Sequence, residues 1–519
     1  METKRNTSYI RNIKCSDVYA ESQVDYSLPD FLGDVRKILF TEAALRPSGR
    51  FVGGDEVELS GVVVYKVVYS DSEGNLSSAE FTSDYDYSVK CSADCYKDSV
   101  CDTKISAYSI RLVGPRKISA RSSLVGSVRL SEEAALSVSG SAFDGDHMPE
   151  VSTKTVNIRC SQPSSVNERE FAEEITRLDG VIADEVSVVY SNAEIAVDSV
   201  SAEDGLATVK GKLRLVCCVR IDDQPAYSVE KSINVEESVN FDGLKSDMKL
   251  IPELTVTSLK STVNPDETGC AIVMNAIVEY CILGEGNDSL ELVTDGYLKT
   301  CATENSYESF NYQLLSDLLT FKESHSAEIM RGEVEGENIR EIILMSATPK
   351  VESVECHENL VTICGEVRYS GVASDLCEDK ILYIPVKFSS PFCINVNNDC
   401  QNCENIQAEV RLSARAATAS LDPTKLYVGC VLEGSVTLSC DLSERVLSSS
   451  HAKEGEVFMT AGCSITVYYP TDEDTLFSVA KRFHTSCLKV ARDNDISERV
   501  FASENPEGKL TGIKKLLIY

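Results

Sequence analysis

One segment of this chain occurs three times at nearly constant spacing, and any fold assigned to it must repeat accordingly. The stretch from Val57 to Lys66 returns from Leu206 to Leu215 and again from Leu360 to Tyr369. Aligning Gly61, Gly211 and Gly365 gives steps of 150 and 154 residues. A second landmark tests the spacing independently. Leu124-Val125-Gly126-Ser127-Val128 matches Leu432-Glu433-Gly434-Ser435-Val436, 308 residues later, against 304 for the glycines. The middle copy reads Val273-Met274-Asn275-Ala276-Ile277, with Asn275 149 residues beyond Gly126. Two landmarks with matching offsets make chance a poor explanation.

The repeated segments read as strands. Leu59, Val63, Tyr65 and Val67 alternate with Ser60, Val64 and Lys66, and Leu213, Leu215 and Cys217 with Lys212, Arg214 and Val216. In the first copy the strand enters the turn-forming Ser70-Asp71-Ser72-Glu73-Gly74-Asn75, and a second strand rises from Leu76 to Val89, which is a hairpin. The glycine inside the first strand marks a bulge or a close backbone approach. Apolar spacing also predicts one short helix ahead of each hairpin: Pro29–Leu39, where Phe31, Leu32, Val35, Ile38 and Leu39 share a face, then Glu168–Leu178, then Leu314–Leu319. The expected fold class is mainly β, with three sandwich-like repeats at 9–147, 148–290 and 291–447 behind a tail at 1–8. A linker at 448–462 leads to a small βααβ unit at 463–519.

At 519 residues and 43% hydrophobic composition, each unit can bury a core. No apolar run approaches the roughly 18 residues that span a bilayer. The opening Met1-Glu2-Thr3-Lys4-Arg5-Asn6-Thr7 has no apolar segment or small-residue cleavage site, so a cytoplasmic location is expected. In that compartment the twenty cysteines are expected to be reduced, with Cys217, Cys364, Cys430 and Cys440 as small hydrophobes in strand slots. A net charge of −32 repels phosphate backbones and argues against nucleic-acid binding.

The repeat resembles the SPOCS domains of spore coat and envelope proteins from spore-forming Firmicutes. The residues that carry the likeness are Leu28-Pro29 ahead of the first strand, the hairpin from Gly61 to Val89, and the pair Pro391-Phe392. The tail is similar to a LysM domain. Asp474 to Phe483 resembles its opening turn and first helix, Thr485 to Asn494 its second helix, and 465–469 and 516–519 its two strands. Independently of the resemblance, Leu476, Val479, Ala480 and Phe483 lie on one helical face, and Asp474 is placed to cap the first turn.

Together the resemblances imply a mother-cell protein at the forespore surface, in a scaffold of spore-coat assembly. The implied partner is the morphogenetic ATPase scaffold that coats the forespore, or another coat protein. LysM domains bind N-acetylglucosamine polymers, so peptidoglycan is the alternative ligand. Glu473 stands where the family has Gly, an insertion runs from Ser497 to Thr511, and the chain has no Trp to stack on a sugar. These departures favour protein docking over sugar. The candidate partner-binding residues are Tyr468, Asp474, Thr475, Lys481, Arg482, His484, Lys489 and Asn494, while Phe477, Phe483 and Leu488 are expected in the core.

No catalytic constellation stands out. His147, His325, His357, His451 and His484 have no zinc-hydrolase spacing, and Cys400-Gln401-Asn402-Cys403 is a lone CxxC. Phosphate-binding glycine loops and a GxSxG elbow are absent from the sequence, and Asp144-Gly145-Asp146 reads as a turn. The sequence therefore points to a non-enzymatic protein with no cofactor or metal.

Overall fold

The computed structural model describes residues 5–14, 17–53, 56–90, 96–143, 149–203, 205–222, 224–245, 247–334, 339–357, 359–377, 380–398, 406–458, 465–500 and 508–519. Cys400, Cys403, Asp144, Gly145, Asp146 and His147, along with 501–507 of the expected insertion, lie outside the described residues. The architecture is mainly antiparallel β. In the first copy, β1 (Arg5–Lys14) and β2 (Val18–Ser27) pair with one side of β7 (Lys117–Val138), and β6 (Tyr96–Gly114) with the other. A second sheet runs β3 (Val35–Gly53), β4 (Glu56–Asp71), β5 (Leu76–Lys90). Val63, Tyr65 and Phe81 from the second sheet pack against Leu124, Val128 and Leu130 from the first, forming a two-layer core.

The same plan recurs twice. Strands β8 (Glu150–Pro163), β9 (Asn167–Asp179), β13 (Lys249–Pro265) and β14 (Gly269–Tyr297) form one sheet, and β10 (Val186–Glu203), β11 (Leu206–Ile221) and β12 (Tyr227–Asn240) the other. In the third copy β15 (Cys301–Met330), β20 (Lys425–Val457) and β19 (Ile406–Leu421) face β16 (Ile339–His357), β17 (Leu360–Cys377) and β18 (Lys380–Asn397). Strands β14 and β20 run on through positions 290 and 447, where the repeat count places its boundaries. The C-terminal segment carries β21 (Thr466–Tyr468), α1 (Leu476–Arg482), α2 (Cys487–Asp493), α3 (Ser497–Val500) and β22 (Leu516–Ile518). No helix among the described residues is long and apolar enough to cross a membrane.

The three helices expected ahead of the hairpins are strands. Pro29–Leu39 is a turn leading into β3, Glu168–Leu178 lies in β9, and Leu314–Leu319 lies in β15. Each stretch contains a β-bulge. Register shifts leave Arg36 and Leu39 unmatched in β3, Ile175 in β9 and Ser316 in β15. An extra residue breaks the two-residue alternation and puts apolar side chains three or four apart on one face, which imitates helical spacing.

The bulges also build the centre of the molecule. Leu39, Val189 and Ile343 are unmatched residues at equivalent positions, spaced like the glycines. Each follows an inward-facing neighbour and joins the next residue on the opposite face. The pairs Leu39–Phe40, Val189–Tyr190 and Ile343–Leu344 thus meet in one buried cluster with Val68, Cys218 and Val372. The Phe40 and Tyr190 rings meet edge to face at 5.4 Å, and the Tyr190 hydroxyl donates to Glu42 Oε2 at 3.0 Å. Each buried apolar side chain contributes about 1.5–3 kcal/mol.

The repeated glycine faces a second bulge. Gly61, Gly211 and Gly365 pair with Pro47, Val197 and Val351, each followed by a register shift. A Cβ at Gly211 would lie 2.2 Å from the Ala196 carbonyl oxygen, and one at Gly365 2.1 Å from that of Lys350. Both a bulge and a close backbone approach therefore account for the glycine.

Several of the described cysteines fill buried apolar slots. Burial raises the thiols of Cys217 and Cys218 to about 12, and Cys430 and Cys440 are also buried. Cys364 departs from the expected reduced state. It is bonded to Cys393, the residue directly opposite on β18, because the register brings their Cα atoms to 4.2 Å. His325 lies against the third sandwich, with Nδ1 2.8 Å from the Tyr369 hydroxyl.

Where the copies meet on their other sheets, charge is buried. Arg159 Nε and Nη2 donate to Glu285 at 2.9 and 3.0 Å, and Ser161 Oγ donates to the same carboxylate at 3.0 Å. Arg129 from the first copy reaches Glu285 at 3.5 Å and Glu409 from the third at 2.7 Å. Glu285 is 1% exposed, so its removal leaves Arg159 buried without that carboxylate. Glu285→Ala is expected to cost about 3–5 kcal/mol in urea denaturation followed by circular dichroism. A loss below about 1 kcal/mol, the scale of a surface pair, would refute the assignment of this cluster as an inter-copy lock.

Candidate functional site

The C-terminal unit has its own core of Leu476, Val479, Ala480, Val490, Ala491, Leu516 and Ile518, with Phe477 and Phe483 packed against it. The apolar face read from Leu476, Val479 and Ala480 is the buried one. Thr475, not Asp474, caps α1: its Oγ1 accepts from Ser478 N–H at 3.1 Å, and Ser478 Oγ accepts from Thr475 N–H at 3.0 Å. Asp474 lies one residue too early to cap and instead closes the preceding loop. Its Oδ2 accepts from Thr471 N–H at 2.7 Å, Thr471 Oγ1 at 3.0 Å and the Tyr468 hydroxyl at 2.9 Å. The Thr471 N–H holds this carboxyl below the usual carboxylate range, against a smaller opposing effect of burial.

The eight candidate residues fall into three groups. Tyr468, Asp474 and Arg482 converge, since Arg482 Nη1 donates to the Tyr468 hydroxyl at 2.7 Å, and Thr475 stands beside them as the cap. Asn494 and Lys489 hold the last strand. Asn494 donates to Val490 O and Leu517 O and accepts from Leu517 N–H at 2.7 Å, while Lys489 Nζ reaches Tyr519 O at 2.9 Å. Lys481 and His484 turn toward the β-body. Lys481 Nζ pairs with Asp295 Oδ1 and Oδ2 at 2.7 and 2.5 Å, and the His484 ring stacks on Phe458 at 3.5 Å.

The body also inserts a residue. Tyr297 at the end of β14 is 2% exposed within the core of the C-terminal unit. Its hydroxyl donates to Thr485 O at 2.6 Å, and its ring meets Phe477 edge to face at 5.3 Å. Burial raises the neighbouring Cys487 thiol to about 11 and lowers His484.

Away from the contact of α1 with the body, the unit exposes one face of its two-stranded sheet. Tyr468 pairs with Leu516 and Val467 with Leu517, so Tyr468, Leu516 and Ile518 face the core. The other face carries Val467, 48% exposed, with Ile465 at 60% and Tyr469 at 69% in alternation, followed by exposed Tyr519. Leu488, expected in the core, is exposed on α2 beside Lys489, which reaches Tyr519. The basic rim includes exposed Lys514 and Lys515. Candidate residues chosen by polarity missed this apolar strip.

A charge count by segment would have drawn attention to the unit. Eight basic residues from Lys481 to Lys515 balance eight acidic ones from Asp472 to Glu507, so the −32 resides in residues 1–462. An apolar strip on an uncharged unit is suited to protein contact, since apolar surface gains by burial and no net repulsion opposes approach. No protein-family model matches the chain, no curated protein matches it, and no solved structure matches it.

Because its folded pKa is depressed, Asp474 stabilises the loop above its unfolded value, and that stabilisation is lost as pH falls through the folded value. Asp474→Asn is therefore expected to speed α1 amide exchange near neutral pH, with the gap to wild type closing on acidification. A gap that stays constant with pH would rule out the carboxylate as the loop's anchor. Thr475→Ala is expected to cost the unit about 1 kcal/mol in the same exchange measurement.

Proposed function

We propose that this chain is a non-enzymatic scaffold of spore envelope assembly. Its three SPOCS-like units form an acidic body, and its LysM-like unit docks a protein partner. The observation that carries this reading is the exposed strip of Ile465, Val467, Tyr469 and Tyr519 on a unit without net charge. The repeat and the LysM-like segment supply the setting: the mother-cell cytoplasm at the forespore surface, with the coat-forming ATPase scaffold as the partner.

Peptidoglycan binding is the competing function. A sugar groove beside α1 needs free polar groups there, whereas Tyr468, Asp474 and Arg482 hydrogen-bond one another and Thr475 is engaged as a cap. That arrangement favours the protein partner.

The test is capture from sporulating-cell lysate on the full-length chain, on a version ending at position 462, and on Val467→Asp, with purified peptidoglycan run alongside. Capture of the ATPase scaffold by full-length protein alone is expected, with Val467→Asp reducing it about tenfold or more, as for loss of an interface anchor. Capture that survives truncation would move the docking surface to the β-body. Retention on peptidoglycan without capture of the scaffold would replace this function with the cell-wall one.

A further inference from the structure

The face of α1 turned toward the body is occupied by two residues of β14, Asp295 and Tyr297, while Gly296 between them faces Leu447 and Phe143 of the body. The register of β14 against β8 shifts at Thr294, and beyond that bulge Asp295 and Tyr297 both meet the C-terminal unit. Asp295 is held in place by donors from β15: the Tyr307 hydroxyl at 2.9 Å and Asn305 Nδ2 at 3.0 Å, both to Oδ1. Its carboxylate takes the Lys481 ammonium, and two residues on Tyr297 meets Phe477 and Thr485. Among the described residues, no strand of the body joins the β21–β22 sheet. The contact therefore depends on side chains that another segment could supply.

We infer that this α1 face recognises protein segments with a carboxylate two positions before a tyrosine, and that Asp295-Gly296-Tyr297 fills it in cis as an autoinhibitory stand-in. The inference rests on reading the C-terminal unit as a protein-docking module. A tethered ligand acts at an effective concentration of about millimolar. An external segment must therefore be densely displayed, as on an assembled coat layer, to displace it.

The probe is a fluorescein-labelled peptide with the sequence of residues 292–299, titrated with purified full-length protein and read by anisotropy. Asp295→Asn and, separately, Tyr297→Ala are expected to speed α1 amide exchange and to bind the peptide about tenfold more tightly than wild type, as removal of a cis competitor requires. Asp295→Asn keeps the shape of the seat, so the measurement does not depend on Tyr297→Ala folding. Adding Lys481→Ala to Asp295→Asn is expected to abolish the gain. Unchanged α1 exchange in both variants would overturn the cis contact. Faster exchange without tighter peptide binding, or a gain that survives Lys481→Ala, would overturn the recognition rule. Peptide binding is read on purified protein, and lysate capture on the sheet-face variant, so failure of one is distinguishable from failure of the other.

Discussion

The body depends on the buried meeting of three bulged strands. Leu39–Phe40, Val189–Tyr190 and Ile343–Leu344 bring together the backs of three hairpin sheets whose other faces already line separate cores. A regular strand sends neighbouring side chains to opposite faces, and only an inserted residue sends two in succession to the same one. The bulge thus lets β3 serve its own sandwich through Val35 and Ile38 and the shared cluster through Leu39 and Phe40. The glycine opposite the second bulge belongs to the same geometry, since a side chain there would collide with the bent partner strand.

With the three copies joined at one cluster, their remaining sheets are close enough to exchange charges. Arg129, Arg159, Glu285 and Glu409 come from three different copies and pair with one another, with Arg159 and Glu285 buried and Glu409 reaching the surface. Such a network contributes little net stability over apolar packing, but it penalises misalignment because a displaced member is stranded in a poor solvent. The apolar cluster drives association of the copies, and the ionic one sets their register.

The C-terminal unit is attached by a different kind of contact. It has a separate core and meets the body mainly through Tyr297, Asp295 and the Phe458–His484 stack. A contact made of few side chains opens more readily than one made of paired strands. This division suits a rigid acidic body carrying a neutral, presentable unit.

Much of the architecture was legible in the sequence, because period and spacing are local properties. The repeat, its β character and the apolar face of α1 can be read without coordinates. The three apparent helices were misread because a bulge alters the local period in the direction of a helix. Cys364 could not be paired from sequence, since only the β17–β18 register places Cys393 opposite it. The candidate site was legible as a unit but not as a surface. Polarity singled out Lys481 and His484, which the fold spends on Asp295 and Phe458, and passed over Val467 and Tyr469, which it leaves in water. The sequence by itself determined that the repeated segments are strands and that the plan recurs three times, because alternation and repetition are written along the chain. The tertiary structure alone decided which faces are covered, because exposure depends on contacts between residues far apart in the chain.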